Sequence, residues 1–544
     1  MRKIFLLTIA LTTFGLQAQK TVKSGPSVAL AANNTESSVK VKNLGTSTTY
    51  DAQNYWYTTT YFSRLNENVG EQSLTIEVVK PDLSIGKSLN LSISEGGPTN
   101  ALFHEDVFFN GKKFSVICFR WQKKSKTEKF LTFEIVDFDV NGTRLTPEAK
   151  LLTKHAAASR FKEPKYSWCV SPNKKYLALI ASPFFNKKEK QKVEVKVFET
   201  STWTEVSSGT KEFTFLDSKN KRQEVVVDNF GTAIVTKSNP VSKKEASTLV
   251  FKLPKGGALQ ELKWGNNSFA QDVRVDSTNE NTSVITGLLS KSVDRKIKGF
   301  FQIKLDAAGK ETVVIKEWSD DEVRAMGSTG ELSYDGFTKT FNSMYLADVC
   351  VKENGNTQLL FQNITSEMES TVGSDGTTVN AFYNIDQEKM YVLELGKQGN
   401  KAWDLILNTD HKYKTKNPNA IEVTMPKIVS RSKANSNSTK IMYVRIGLRK
   451  WVSAKTGDSM MFDSKESFVF ELPITEAGSI SVPKLQFAHQ EYGVNVSKIV
   501  DYNAGGKKRD FAVFYLNTFK MDGYFTGYIN HIDQNKKNYY YFRY

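Results

Sequence analysis

The sequence predicts an all-β chain assembled from repeated four-stranded units. Three observations carry that prediction. The stretch 166–206, YSWCVSPNKKYLALIASPFFNKKEKQKVEVKVFETSTWTEV, divides into four short β-type runs, YSWCV, KYLALIA, KVEVKVFET and TWTEV. In the third run Val193, Val195 and Val197 alternate with Lys192, Glu194 and Lys196, the period of a strand with one buried face. A phrase of alternating strand, turn and second strand then recurs at 74–91, 131–146, 193–206, 249–262, 300–315, 390–407, 468–482 and, more loosely, 525–542. Aromatics make up 12% of the 544 residues and hydrophobics 39%, with only 13 prolines, which favours a folded β-rich chain over a disordered one. Four strands in about fifty residues, repeated, describe the blades of a β-propeller.

From the N-terminus, residues 1–18 read as a signal peptide. Arg2 and Lys3 precede the apolar run 4–16, which is short for a bilayer span, and Leu16-Gln17-Ala18 offers a small-residue cleavage site before Gln19. Export and a location in the periplasm or at the cell surface are the expectation. Residues 19–54, rich in Ser, Thr and Asn at their start, read as an extended lead-in, and 55–544 as the propeller. No later stretch is apolar for long enough to make a transmembrane helix.

Gly86, Gly142, Gly256, Gly309, Gly399 and Gly478 mark turns in the recurring phrases, which are assigned to the outer strand pairs. Inner pairs fall between them: LFHEDVFF with FSVICFRW, YSWCV with KYLALIA, QEVVVD with TAIVT and DVRVD with SVITGLL. MYLADVCV with TQLLFQN, EVTMPKIV with KIMYVRI, and VSKIVDY with DFAVFYLN follow. The expected count is seven blades, with six or eight also open; an orphan hairpin near 72–91 either closes the ring or belongs to an eighth, and the C-terminal NYYYFRY is read as the sealing strand. Ser319 to Met326, with acidic residues behind a capping serine and Gly327 as a stop, predicts one short helix.

The phrase SPNKKYLALI (171–180) resembles the Ser-Pro-Asp-Gly-Lys-x-Leu-Ala pattern of TolB-type and other WD40-like blades, with Asn173-Lys174 in place of Asp-Gly. ADVCVKENGNTQLLFQN (347–363) resembles a blade style of uncharacterised exported Bacteroidota proteins, and the Leu-Gln-Ala-Gln ending resembles their export signals. The resemblance implies architecture and transfers no functional residue.

Residues that carry chemistry are sparse. Cys118, Cys169 and Cys350 lie inside predicted strands and read as buried, unpaired thiols. The histidines at 104, 155, 411, 489 and 531 form no metal-binding spacing, so neither a metal nor a cofactor is expected. His104-Glu105-Asp106 reads as a polar strand end before an acid–base site, and Asp320-Asp321-Glu322 as a helix N-terminus before a glycosidase pair. DVNGTRLTPE (139–148) and DNFGT (228–232) read as turns, since they lack calcium-loop spacing. No Gly-x-Ser-x-Gly elbow, Walker A loop or dinucleotide fingerprint occurs.

Charge is the remaining signal. The second-to-third strand loops at 121–129, 182–192, 236–245, 290–298 and 445–458 carry net charges of +3, +3, +2, +3 and +3, in a chain whose formal charge is +16. Lysine-rich turns are often only solvated surface. If blades stand as assigned, these loops form one basic face containing Lys123, Lys124, Lys126, Lys187, Lys188, Lys190, Lys243, Lys244, Arg295, Lys296, Arg449 and Lys450. Trp121 and Trp451, with Phe184 and Phe185, lie at or beside these loops and could stack on a ligand or plug gaps between blades. The segment from Gln362 to Gln387 reads as an acidic loop that interrupts the face. The expectation is a non-enzymatic binding protein for an envelope protein, an acidic glycan or lipopolysaccharide. Nucleic acid is disfavoured because the lysine loops lack interleaved aromatics. The alternative is a carbohydrate-binding or carbohydrate-active propeller of the envelope.

Overall fold

In a blade packed between two others, a middle strand is buried on both faces, so it should read as a continuous apolar run. The structure, a computed structural model, bears this out; it describes side chains over most of residues 74–428 and at 441 and 472–480, and the remaining strands by backbone pairing alone. In Phe114–Lys123, Val116 and Cys118 pack with Leu74, Ile76 and Leu91 on one side. Ile117 packs with Leu177, Leu179 and Phe198 on the other. The next sheet repeats the pattern, with Ala178 and Ile180 turned toward Val225, Val235 and Phe251. Each buried Leu, Ile or Phe contributes roughly 1.5–3 kcal/mol, so this layered core dominates the fold.

Eight antiparallel sheets follow one another along the chain. Blade 1 is Val39–Ser47, Tyr55–Phe62, Ser73–Val79 and Ile85–Ser92; blade 2 is Leu102–Phe109, Phe114–Lys123, Lys129–Phe138 and Lys150–Ala156. Blade 3 comprises Lys165–Val170, Tyr176–Ser182, Lys192–Glu199 and Thr204–Glu212, and blade 4 Gln223–Val227, Ala233–Pro240, Ala246–Leu253 and Gln260–Leu262. Blade 5 holds Phe269–Asp276, Thr282–Ser290, Ile297–Asp306 and Glu311–Glu317. Blade 6 holds Thr340–Val351, Thr357–Val372, Val379–Leu395 and Lys401–Thr415. Blade 7 is built from Lys427–Ser430, Thr439–Ile446, Ser467–Ile474 and Lys484–Ala488, with a small ribbon, Trp451–Val452 with Ser459–Met460, in its middle connection. Blade 8 joins Phe514–Thr518, Phe525–Asp533 and Lys536–Arg543 to the N-terminal strands Lys23–Ser24 and Val28–Ala29. First strands of neighbouring blades meet between blades 1 and 2, 3 and 4, 4 and 5, 5 and 6, and 6 and 7, and blade 8 meets blade 1. The chain is an all-β propeller with its first strands at the hub.

Several expectations are corrected. Among the described residues eight sheets stand as blades, the alternative that the orphan hairpin left open: that hairpin is the outer half of blade 1, whose inner strands begin at Val39. The segment 19–54 therefore supplies three strands, and Gly86 lies within a strand instead of a turn. In blade 2 the fourth strand is Lys150–Ala156, since Arg144 only bridges back to Phe138 beside the turn. The supposed acidic loop 362–387 is a paired hairpin, with Gln362 opposite Met390 and Val372 opposite Val379. The sealing edge strand comes from the N-terminus, where Lys23 faces Arg543 and Val28 faces Tyr539, so the C-terminal strand lies one place inside it. Residues 1–18 and the run VSKIVDY lie outside the described residues. The helix forms at Asp320–Met326, with Ser319 Oγ accepting from the Glu322 amide and Glu322 Oε2 accepting from the Ser319 amide. Cys118, Cys169 and Cys350 form no disulfide; Cys118 and Cys350 are buried and Cys169 half-buried.

Sealing the ring with a strand from the other chain end predicts a long-range dependence. Deleting residues 19–29 from a chain that begins at Gln19 should lower its melting midpoint by at least about 5 °C, read by circular dichroism. A deletion variant that melts with the parent would show that blade 8 does not need the N-terminal strands.

Candidate functional site

The antiparallel strand order gives the ring two unlike faces. First-to-second and third-to-fourth connections share one face, and second-to-third connections share the other. Turns on the first face are short and closed by backbone bonds, as at Asn110–Lys113, Asp228–Thr232 and Lys352–Asn356, and again at Asp139–Thr143, Pro254–Gly257 and Gly396–Asn400. Gly399 shows why these positions are restricted: its φ is +84°, and a Cβ there would overlap Val314 of the preceding blade.

Half-buried Lys113 and buried Lys304 tie the turns of adjacent blades together. Lys113 Nζ bonds Asp137 at 2.5 Å and donates to the Ser201 carbonyl of blade 3 at 3.1 Å, while Trp203 Nε1 donates to Asp137 at 2.8 Å. Lys304 Nζ donates to the carbonyls of Gly355, Gly396 and Lys397 in blade 6 at 3.3, 3.0 and 3.1 Å, and burial pushes its ammonium down to about 8. Asp228 Oδ1 accepts from the Phe230 and Thr232 amides at 2.9 and 2.8 Å, but its buried Oδ2 has no partner, and burial pushes this carboxyl up to about 6. The neighbouring Asn229 accepts from the Asn173 amide at 2.8 Å, linking blades 3 and 4. This face is a closed structural rim.

The hub has its own carboxylates. Asp106, Asp272 and Asp348, each followed by valine, stand at or beside bulges in the first strands of blades 2, 5 and 6. Asp106 accepts from the Val107 amide at 2.8 Å and from Trp168 Nε1 of blade 3 at 3.4 Å. Asp348 accepts from the Val349 amide and from the Ile428 amide of blade 7, both at 2.9 Å. Asp272 accepts from the Leu346 amide at 2.8 Å, and Arg274 Nε donates to the Leu346 carbonyl at 3.2 Å. Asp276 accepts from the Val351 amide at 2.6 Å. The triplet His104-Glu105-Asp106 thus contributes a blade-to-blade link, and sequence reading missed the role of the repeated Asp-Val pair that marks it. Among the described residues no group of His, Cys, Asp and Glu is placed to hold a metal. At Asp139, where calcium was weighed, the carboxylate accepts from the Asn141 and Thr143 amides at 2.9 and 2.8 Å.

On the opposite face, Lys123 and Lys124 are exposed at the second-to-third connection of blade 2, and Trp121 is half-buried on the strand leading to it. Phe130 sits between two ammonium groups, Lys154 Nζ at 3.9 Å and Lys124 Nζ at 6.0 Å from its ring centroid. Lys154, on the outer strand of the same blade, enlarges the basic patch beyond the loop read from sequence. In the adjoining blade Lys190 is exposed and faces Glu212 at 3.3 Å. Such surface pairs contribute ~0–1 kcal/mol, so they do not fix the loop. Toward the hub, Phe119, Phe133, Tyr166 and Trp168 form one aromatic cluster, with Tyr166 OH donating to the Leu131 carbonyl at 2.7 Å.

One counted charge is corrected. Lys237 lies within a strand of blade 4, is 1% exposed and approaches Gln223 Oε1 at 3.3 Å, so it adds nothing to an open surface. The side chains of Lys126, Lys187, Lys188, Lys243, Lys244, Arg295, Lys296, Arg449, Lys450 and Trp451 lie outside the described residues. No helix among the described residues is long and apolar enough to cross a membrane.

No protein-family model matches the chain, and no curated protein matches its sequence. Among solved structures it is similar to the WD40 domain of SCAP from fission yeast, at 8% identity over 96% of this chain and 98% of that one, with a TM-score of 0.33. A protein of unknown function from Dyadobacter fermentans DSM 18053 is similar at 9% identity over 63% and 94% of the two chains, with a TM-score of 0.27. Pyrococcus horikoshii acylaminoacyl peptidase is similar at 11% identity over 77% of this chain and 59% of its own, with a TM-score of 0.30. At these scores the likenesses say nothing about chemistry, and the propeller assignment rests on the strand order itself.

Asp228 makes the structural rim testable through pH. Its carboxyl titrates at about 6 when folded against an ordinary 3.8, so the folded state holds the proton more tightly. That stabilising contribution is full below the unfolded value and is lost as pH rises through about 6. From pH ~4 to ~7 the parent should lose about 2–3 kcal/mol more unfolding free energy than Asp228→Asn, measured by urea denaturation. Parallel pH profiles for the two proteins would contradict the assignment.

Proposed function

We propose that this chain is an exported, non-enzymatic β-propeller, of the kind found in Bacteroidota, that binds an anionic macromolecule of the cell envelope through the face bearing its second-to-third strand loops. The carrying observation is that five sequence-separated basic segments occupy equivalent second-to-third positions in blades 2, 3, 4, 5 and 7. A ring held together from the opposite rim leaves these connections free to vary, which is how rigid scaffolds present binding loops. Exposed Lys123, Lys124 and Lys190, with Lys154 beside Phe130, support the reading at blades 2 and 3. The partner class is lipopolysaccharide, an acidic glycan or an acidic envelope protein, attracted by a field that fades over ~10 Å at 0.1 M salt.

The carbohydrate-active alternative needs two acids free to meet a sugar. The hub aspartates described above accept from backbone amides or Trp168 instead, so no observation favours it over the basic face.

Reversing Lys123, Lys124, Lys187, Lys188, Arg449 and Lys450 to Glu should weaken binding to lipopolysaccharide vesicles at least about tenfold in ~0.1 M salt, with the difference shrinking above ~0.5 M. Circular dichroism checks that the variant keeps its fold. Equal binding by a folded variant would reduce the loops to solubilising surface.

A further inference from the structure

Blade 6 departs from its neighbours in length and in charge. Thr357–Val372 has 16 residues and Val379–Leu395 has 17, against nine for Thr282–Ser290 and ten for Ile297–Asp306 in blade 5. The seven extra residues, at ~3.3 Å each, carry this hairpin about 20 Å farther toward the basic-loop face. Past a bulge at Asn363–Ile364, pairing runs unbroken from Ile364 opposite Gln387 to Val372 opposite Val379. Flanking strands stop short of it: Thr340 is the last partner of the first strand, opposite Glu367, and Thr415 the last of the fourth, opposite Tyr383. Among the described residues, 369–372 and 379–382 pair only with each other. A two-stranded ribbon alone in water is marginally stable, so a surface that receives it would add stability.

Its composition says which surface. From Thr357 to Gln387 the hairpin has no lysine or arginine, while Glu367, Glu369, Asp375 and Asp386 supply four carboxylates in a chain of net charge +16; Asp386 pairs with Lys412 of the fourth strand at 2.6 Å. Glu367 and Glu369 are exposed. The complement to such a ribbon is a basic surface, and this protein carries one on the face from which the ribbon rises. Beyond Thr340 and Thr415 no flanking strand of its own blade covers the ribbon among the described residues, which leaves exposed Glu369 open to the basic loops of a facing molecule.

We infer that two copies of this chain associate face to face about a two-fold axis, the acidic hairpin of each lying across the basic loops of the other. A two-fold arrangement satisfies both contacts at once and closes the assembly at a dimer. The inference shares the basic face with the function proposed above but requires no envelope partner. Self-association and vesicle binding can therefore fail separately, and on this reading an anionic partner competes with the second copy.

Sedimentation equilibrium of the mature chain tests the inference, using two variants: Glu367→Lys with Glu369→Lys, and Lys123→Glu with Lys124→Glu and Lys190→Glu. The parent should dimerise at ~0.05 M salt and dissociate at ~0.5 M. Each variant alone should self-associate at least about tenfold more weakly. An equimolar mixture of the two should form a heterodimer, because reversed hairpin meets reversed loops and native meets native; that rescue also shows both variants to be folded. A parent that stays monomeric at low salt, a dimer indifferent to salt or to hairpin reversal, or a mixture that fails to associate would each overturn the inference.

Discussion

A strand at the centre of a propeller has a sheet partner on one side only, and its axis-side amides must find acceptors other than a neighbouring strand. In this protein carboxylates meet part of that need. Asp272, Asp276 and Asp348 accept from amides on the first strand of the next blade, and Asp106 reaches the indole of Trp168. Each of these bonds satisfies a donor and also sets the spacing of two blades at the narrowest radius. Leu346 shows the device most fully, since Asp272 takes its amide while Arg274 holds its carbonyl, as a neighbouring strand would. The layered apolar core then fills the wedge between sheets whose inner edges are already set.

Farther out the two faces diverge. On the turn face, Lys113, the Asn173–Asn229 contact and Lys304 join blades 2 and 3, 3 and 4, and 5 and 6 through backbone groups. Both lysines are engaged by groups of the adjoining blade, so this rim has little freedom to reshape around a ligand. The opposite face carries the longer connections and the exposed lysines, and it tolerates changes in loop length and charge because it does not hold the ring together. The proposed binding surface is the face on which structure makes the fewest demands. The long hairpin of blade 6 belongs to the same face and shares that independence from the core.

How far the sequence revealed this depended on how far each strand is buried. Tyr176–Ser182 is apolar on both sides and Lys192–Glu199 alternates, so blade 3 could be read strand by strand, and blades 4 and 5 likewise. Val39–Ser47, with Lys40, Lys42 and Asn43, reads as polar lead-in, yet it pairs through its backbone with Tyr55–Phe62. Lys150–Ala156 was missed because Leu151, 52% exposed, breaks the alternation that burial would impose. The outer half of the blade 6 hairpin lies beyond the layered core, so SEMESTV carries no strand pattern and reads as loop. The hub carboxylates left a trace in the Asp-Val pairs at 106, 272 and 348, but only the ring geometry shows that each serves the following blade. Lys237 is the converse case, a lysine counted as surface charge that lies inside a strand near Gln223 and Ser182.

The central claim is that these aspartates hold the hub by accepting from backbone amides of the adjoining blade. Hydrogen exchange at the amides of Leu346, Val351 and Ile428 tests it most directly, because solvent-bonded amides exchange far faster than those with a protein acceptor. The account predicts protection at these three positions comparable to that of ladder-bonded amides in the middle strands of blades 5 and 6. Exchange at the rate of exposed loop amides would contradict it.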